Sequence, residues 1–188
     1  MMGEKEKEVK ILDLTDDDLL KIDIVMKQLG ARKVADYTRH IMTFDNGTSD
    51  DLNQLLRVTE EDGYTKVTLH INQNDEDKKR HIKFHLPQSD RFIDFISCRY
   101  NEKMLTDIFA RRISYELRSG DNCIDFDIDC FKKIPAFMEI DTENLEKNGY
   151  TLQTLIDNLG LQDKRCVVLG TEAIHKLYGI NYFEAYKK

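Results

Sequence analysis

The sequence lacks any apolar run long enough to span a bilayer, and its charged N-terminus lacks the apolar segment of a signal peptide. Its four cysteines are scattered without CxxC spacing, at Cys98, Cys123, Cys130 and Cys166. We therefore expect a cytoplasmic protein with no membrane partner. Its cysteines are expected to be reduced, buried thiols, and neither zinc ligands nor disulfides.

A surplus of positive charge is also missing, since 28 lysines and arginines face 35 aspartates and glutamates, giving a net charge of −7. Binding of nucleic acid through a broad basic face is therefore not expected, whereas a small basic pocket remains compatible with this charge. Charged residues make up 34% of the chain, more than is usual, which favours a fold with a polar interior as well as a polar surface. The length predicts one domain, residues 1–188.

The hydrophobic periodicity predicts an α+β chain with about eight strands and no internal repeat. The predicted strands cover approximately residues 5–12, 33–45, 55–61, 64–72, 78–86, 104–117 and 123–131, followed by the strand that contains Glu139. The predicted helices cover residues 15–30, 89–98, 152–159 and 172–178. Turn signals at Asp62-Gly63, 74–77 and 119–122 predict three antiparallel hairpins.

These three turns set the register of the hairpins, and the register separates polar from apolar side chains. Directly opposed residues share one face of a sheet. One predicted face carries Arg57, Lys66, Thr68, His70, His81, Lys83, His85, Arg112, Asp127 and Asp129, and the other face is apolar. Two structures fit this alternation: an open sheet with one solvated face, or a closed barrel with a polar lumen. A register slip of one residue would exchange the two faces.

Two acidic triplets lie near the ends of the chain. Glu6, Glu8 and Lys10 alternate along the first strand, and Glu139 and Asp141 alternate along a later one, so each set projects to one side of its strand. Brought together, four carboxylates and an ammonium would form an oxygen-rich site for Mg²⁺ or Mn²⁺ beside a positive charge that attracts phosphate. For either triplet alone, a solvated edge strand is the preferred interpretation, and the two together favour a site.

The first triplet (ExExK), Leu56-Arg57-Val58, the strand of Arg112, Asp129 and the segment 137–141 (FMEID) together resemble the CYTH family of triphosphate tunnel metalloenzymes. The similarity extends over nearly the whole chain. That family includes class IV adenylyl cyclases, thiamine triphosphatases and inorganic tripolyphosphatases.

The resemblance implies a closed antiparallel β-barrel, a tunnel of about eight strands with helices packed outside, and it permits a homodimer. It implies that the metal-binding residues are Glu6, Glu8, Glu139 and Asp141. The implied substrate-binding residues are Lys10, Arg57, Lys66, Lys83, Arg112 and Asp129. Among these, Lys10 and Arg112 would be catalytic, and Asp129 would pair with Arg112 across a hairpin and orient it.

Several positions depart from the family pattern, and they bear on activity. Residues that the family usually has in its tunnel are replaced by Thr59, His70, His81, Ala110 and Pro135, and the HF pair of many cyclase members is missing. Metal-dependent binding and hydrolysis of a triphosphate compound is the leading hypothesis, with tripolyphosphate, a nucleotide or thiamine triphosphate as the substrate. The alternatives are a non-catalytic nucleotide or polyphosphate binder on a degenerate tunnel and, third, a class IV cyclase.

Overall fold

The computed structural model describes residues 8–45, 53–72, 80–87, 94–96, 98 and 104–187, without the side chains of 53–54, 69–72 and 80–83. The predicted metal ligand Glu6 and the side chains of Lys83, His70 and His81 lie outside the described residues. Among the described helices, none is long and apolar enough to cross a membrane.

The described residues confirm an α+β fold. The strands are β1 (Glu8–Leu14), β2 (Arg32–Asp45), β3 (Asn53–Glu61), β4 (Tyr64–Asn72), β5 (Arg80–Pro87), β6 (Met104–Ser119), β7 (Asn122–Cys130), β8 (Ala136–Asp141) and β9 (Cys166–Val167). The helices are α1 (Asp16–Gln28), α2 (Leu152–Leu159), α3 (Thr171–Leu177) and α4 (Tyr182–Ala185). The helix predicted over 89–98 is described only at 94–96 and 98, which are helical.

The strands follow one order, β5-β4-β3-β2-β6-β7-β8-β1-β9. The hairpins and the pairing of β1 with β8 and β9 are antiparallel. The predicted closed barrel is wrong for the described residues, because the order has two free ends, β5 and β9. Alternation fixes which face a side chain occupies, but an open sheet and a barrel alternate in the same way.

The chain divides into two compact units. Unit 1 comprises Thr38–Ala110 with Ile180–Lys188, and unit 2 comprises Met2–Tyr37 with Arg111–Gly179. Strands β2 and β6 each contribute residues to both units. The single domain expected from chain length stays a prediction.

The core of unit 2 forms on one face of β1, β6, β7 and β8, where the apolar side chains of each strand alternate with polar ones. Ile22 and Met26 of α1 and Leu155 and Leu159 of α2 are buried in this core. Spacings of four residues place each pair on one side of its helix, so both helices pack an apolar stripe. The opposite face carries the polar residues of the four strands together with Phe137 of β8, which is fully buried.

Helix α1 begins with a capping box, and the acidic residue of this box also forms an ion pair with a lysine distant in sequence. The hydroxyl of Thr15 accepts from the Asp18 amide at 3.2 Å, and the Asp18 carboxylate accepts from the Thr15 amide at 2.8 Å. The ammonium of Lys164 lies 2.8 Å from the same carboxylate. Burial alone would raise the pKa of Asp18, but Lys164 and the Thr15 hydrogen bonds outweigh it and lower the pKa to about 2.

This lowered pKa makes Asp18 a source of acid-sensitive stability. A carboxyl with a depressed pKa in the folded state stabilises the fold above its unfolded pKa and loses that contribution as the pH falls towards the folded value. We expect Asp18→Asn to lower the free energy of unfolding by about 2 kcal/mol at pH 7. The difference should shrink between pH 4 and pH 2 in urea unfolding. An equal difference at pH 7 and pH 2 would contradict the assignment.

The hairpins of unit 1 have the predicted register. Arg57 is opposite Thr68, Thr59 is opposite Lys66, and Thr68 is opposite Lys83, as the turn at Asp62-Gly63 and the next turn require. Gly63 has a φ of 81°, which glycine adopts without strain in such a turn. The polar and apolar faces predicted for these strands are therefore confirmed.

The cysteines are free, as predicted, but the prediction that they are buried is wrong. Cys98 and Cys166 are exposed, and Cys123 and Cys130 are half-buried. Cys166 lies on the two-residue strand β9 at one end of the sheet order, and Cys123 follows a hairpin turn.

Candidate functional site

The register of four neighbouring strands brings the acidic triplets together in unit 2. Glu8 of β1 is opposite Asp141 of β8, and Lys10 is opposite Glu139. Glu139 is also opposite Asp127 of β7, because β8 pairs with β7 on its other side. The pairing of β7 with β6 adds Asp129 and Arg112. We call these seven side chains the carboxylate face: Glu8, Lys10, Arg112, Asp127, Asp129, Glu139 and Asp141.

Lys10 connects the two triplets. Its ammonium lies 3.1 Å from Glu8 Oε2 and 3.2 Å from Glu139 Oε1, and the residue is only 6% exposed. Burial alone would lower the pKa of Lys10, but the charge of Glu139 and the hydrogen bond to Glu8 outweigh it and raise the pKa. Lys10 therefore holds its positive charge between two carboxylates.

Arg112 forms the other cationic centre of the face. Its Nε and Nη2 donate to the two oxygens of Asp129 at 2.8 and 2.6 Å, a bidentate pair. Its Nη1 donates to Asp127 Oδ2 at 2.6 Å, and Nη2 is also 3.2 Å from Glu139 Oε2. Although burial opposes the charge, these carboxylates raise the pKa of Arg112. The predicted Arg112–Asp129 pair is present, within a larger network.

Negative charge remains in excess on this face. Burial raises the pKa of Glu139, and the neighbouring charge of Asp129 raises it further, while Arg112 and Lys10 oppose both. With all groups ionised, these seven described side chains carry five negative and two positive charges, a net charge of −3. A carboxylate whose pKa is raised by its neighbours is a group that an additional cation would stabilise.

The carboxylates of this face have the donor chemistry of a divalent-metal site, but in the described part of the chain their ligand atoms do not form a cluster of three within 4.8 Å. The oxygens of Glu8, Glu139 and Asp141 are hard ligands of the kind that Mg²⁺ and Mn²⁺ prefer. A second group, Glu116, Cys123 and Asp125, has ligand atoms within 4.8 Å of one another. In both groups a carboxylate is already paired with cations: Arg32 and Arg118 lie 3.3 and 2.9 Å from Glu116, and Lys10 and Arg112 each lie 3.2 Å from Glu139.

The structure brings together the predicted site residues of unit 2, namely Glu8, Lys10, Arg112, Asp129, Glu139 and Asp141. The predicted phosphate ligands Arg57 and Lys66 lie on neighbouring strands of unit 1, on the face that also carries Thr59. Thr59 and Ala110 are two of the positions that differ from the family pattern. Thr59 is 6% exposed and Ala110 is 1% exposed, so neither is a solvated surface position.

Sequence reasoning placed Asp127 on the polar face but gave it no role in the site. In the structure its two oxygens accept from Arg112 and from the hydroxyl of Ser114. The signal was present in the sequence, because the turn at 119–122 sets Ser114 opposite Asp127, two residues from the Arg112–Asp129 pair. What the sequence did not reveal is that Arg112 reaches the diagonal carboxylate as well as the opposite one.

No model of a known protein family and no curated protein matches the chain. Solved structures do. The PH1012 protein of Pyrococcus horikoshii is similar over 84% of this chain and 93% of its own, with 19% identity and a TM-score of 0.55. A Vibrio parahaemolyticus protein, provisionally named an adenylate cyclase, is similar over 90% of this chain and 96% of its own, with 12% identity and a TM-score of 0.59.

A third similar structure is that of HpAC1 from Hippeastrum, an adenylyl cyclase by provisional name whose description states a dominant triphosphatase activity. It matches 94% of this chain and 98% of its own, with 10% identity and a TM-score of 0.57. The chain has the fold of these proteins. The resemblance to the CYTH family noted in the sequence is thus confirmed at the level of the fold.

Proposed function

We propose that this protein binds a compound bearing a triphosphate together with Mg²⁺ or Mn²⁺ and hydrolyses its terminal phosphoanhydride. The observation that carries the proposal is the carboxylate face, where five carboxylates, a buried lysine and a half-buried arginine share one side of four paired strands. The seven described side chains of the face carry a net charge of −3 when ionised, which a bound divalent cation would reduce. The fold shared with a protein of stated triphosphatase activity adds support.

The residues of the carboxylate face would have three different roles in phosphoryl transfer: metal binding, phosphate binding and positioning of Arg112. Glu8, Glu139 and Asp141 would hold the metal, which supplies charge neutralisation for the phosphoryl oxygens and orientation of water. Lys10 and Arg112 carry fixed positive charges that face the same side, and they would bind phosphoryl oxygens as these gain charge. Asp127 and Asp129 hold the guanidinium of Arg112 in place by its Nε, Nη1 and Nη2.

Binding of Mn²⁺ tests the metal assignment independently of turnover. Glu8→Gln removes one charge at constant shape, and we expect it to weaken Mn²⁺ binding by at least about tenfold, as measured by calorimetric titration. Asp125→Asn is the matched control, because it removes a carboxylate from the second acidic group of the same unit. If Asp125→Asn abolished Mn²⁺ binding and Glu8→Gln left it unchanged, the metal would belong to the other group.

A non-catalytic binder is the second candidate, and two observations favour it. Ala110 stands buried at a position where a basic residue is expected from the family pattern. The guanidinium of Arg112 is engaged by three carboxylates of the protein itself. This candidate predicts metal-dependent binding of tripolyphosphate without release of phosphate. Formation of cyclic AMP from ATP and Mn²⁺ would instead support the cyclase hypothesis.

A further inference from the structure

The carboxylate face changes from exposed to buried along its strands. The side chain of Glu8, at one end, is 38% exposed, and that of Glu139 in the middle is 16% exposed. Asp129 is 2% exposed, and Phe137, directly opposite it on β8, is fully buried. Phe137 shares the face of Glu139, because side chains two residues apart on a strand project to the same side. Among the described residues, the face is thus accessible at the end of Glu8 and closed next to Asp129.

Three aromatic rings form this closed end. The rings of Phe131 and Phe137 stack with their centroids 6.0 Å apart, and the ring of His175 meets Phe131 edge-on at 5.1 Å. Phe131 follows β7 and is 7% exposed, and His175 of α3 is fully buried. We call these three residues the aromatic wall: Phe131, Phe137 and His175. They belong to unit 2, as does the whole carboxylate face.

The aromatic wall carries no charge at pH 7. Nδ1 of His175 donates to the carbonyl oxygen of Thr171 at 2.8 Å. Burial lowers the pKa of His175, although this hydrogen bond opposes the shift, so the imidazole is neutral. The wall therefore differs sharply from the adjoining face, where Lys10 and Arg112 supply positive charge. Phosphoryl oxygens are favoured beside these two cations, and a group that extends further would have to displace packed rings.

Helix α3, which carries His175, is fastened to the strand that carries Lys10. Tyr178 follows α3, and its hydroxyl donates to Oδ1 of Asp13 in β1 at 2.6 Å. Arg165 donates to the two carboxylate oxygens of Asp13 at 2.7 and 3.1 Å, and its guanidinium lies 5.3 Å from the centroid of the Tyr178 ring. Specific polar contacts thus hold the helix in place in addition to its apolar packing.

We propose that the aromatic wall restricts the ligand to triphosphates that carry no bulky substituent on one terminal phosphoryl group. This free end lies next to the wall, beside Lys10 and Arg112, and any substituent on the other end extends past Glu8. The inference rests on the proposed function and narrows its substrate class. Tripolyphosphate, nucleoside triphosphates and thiamine triphosphate satisfy the restriction, whereas triphosphates esterified with bulky groups at both ends do not.

Two diesters of equal charge test this restriction. Both are tripolyphosphate analogues with methylene groups in place of the bridging oxygens, which prevents hydrolysis. One carries a phenyl group at each end, and the other carries a phenyl group at one end and a methyl group at the other. In calorimetric titrations of the full chain with Mg²⁺, we expect the diphenyl compound to bind roughly 100-fold more weakly, because only the phenyl–methyl compound can place a small group against the wall.

Truncation of the wall should relax this discrimination. Phe131→Ala removes a ring and leaves space that a phenyl group can occupy, so we expect the difference between the two diesters to shrink to about tenfold or less. Phe126→Ala is the matched control, because Phe126 is an equally large, fully buried ring in the core on the other face of β7. It should leave the ratio of the two affinities unchanged. The ratio is measured within each variant, so a general loss of affinity cancels.

The wild-type comparison decides the inference even where a variant fails to fold. Equal affinities of the wild type for the two diesters would overturn the inference and leave the proposed function intact, because triphosphates would bind without regard to their ends. The same change of ratio in Phe126→Ala as in Phe131→Ala would also overturn the role of the wall. No binding of tripolyphosphate itself would overturn the inference and the proposed ligand class together.

Discussion

Replacing Arg112 with methionine is expected to lower the free energy of unfolding by about 3–5 kcal/mol. The substitution keeps an apolar stem but removes the cation that binds Asp127, Asp129 and Glu139. Asp129 is 2% exposed, so its charge would remain buried without the bidentate partner. Urea unfolding at pH 7 measures the loss.

The adjacent residue supplies the control. Arg111 projects to the opposite face and pairs with Asp36 at 2.8 Å, but its side chain is 51% exposed. Exposed ion pairs contribute about 1 kcal/mol or less, so Arg111→Met should change stability little. Adding Asp129→Asn to Arg112→Met should recover part of the loss, because it removes the stranded charge. Equal losses in the two arginine variants would contradict the buried network.

The second large effect is expected on activity. Lys10→Met should reduce kcat for phosphate release by about 100- to 1000-fold, the range found when one preorganised donor is removed from a polar active site. Lys10 is buried between Glu8 and Glu139, so its charge is fixed before the ligand arrives. The measurement is steady-state phosphate release at saturating substrate and Mg²⁺.

An exposed lysine of unit 2 serves as the control for the Lys10→Met variant. Lys27 pairs with Asp23 on the surface of α1, and its side chain is 70% exposed. Lys27→Met should leave turnover unchanged. Turnover of Lys10→Met close to that of the wild type would mean that Lys10 only balances the charges of the face, and its assignment as a catalytic residue would be wrong.

The faces of the sheet were predictable because they depend on local signals. The Asp62-Gly63 turn fixes Arg57 opposite Thr68, and the turn at 119–122 fixes Arg112 opposite Asp129. Each pairing follows from counting residues away from a turn, and alternation then assigns every other side chain of the hairpin. The predicted carboxylate site depended on this parity and on the resemblance that linked the two triplets.

Features that join distant segments were not predictable in this way. Whether a sheet closes into a barrel depends on whether its two end strands pair with each other. Here the end strands are β5 and β9, and no local motif in either strand shows whether they pair. The ion pair between Lys164 and Asp18 joins the segment before β9 to the start of α1. The contact of His40 with Glu60 and Asp107 joins three strands, of which β6 follows much later in the chain. These contacts depend on tertiary packing, for which no local motif exists.

The most direct test of the central claim is phosphate release by the wild-type protein from tripolyphosphate, ATP, GTP and thiamine triphosphate, with Mg²⁺ or Mn²⁺ and with a chelator. The carboxylate face predicts release from at least one member of this panel, and that release should disappear when the metal is removed. Release that continues in the chelator would contradict the metal-dependent site. No release from any member would contradict hydrolysis and favour the binding protein.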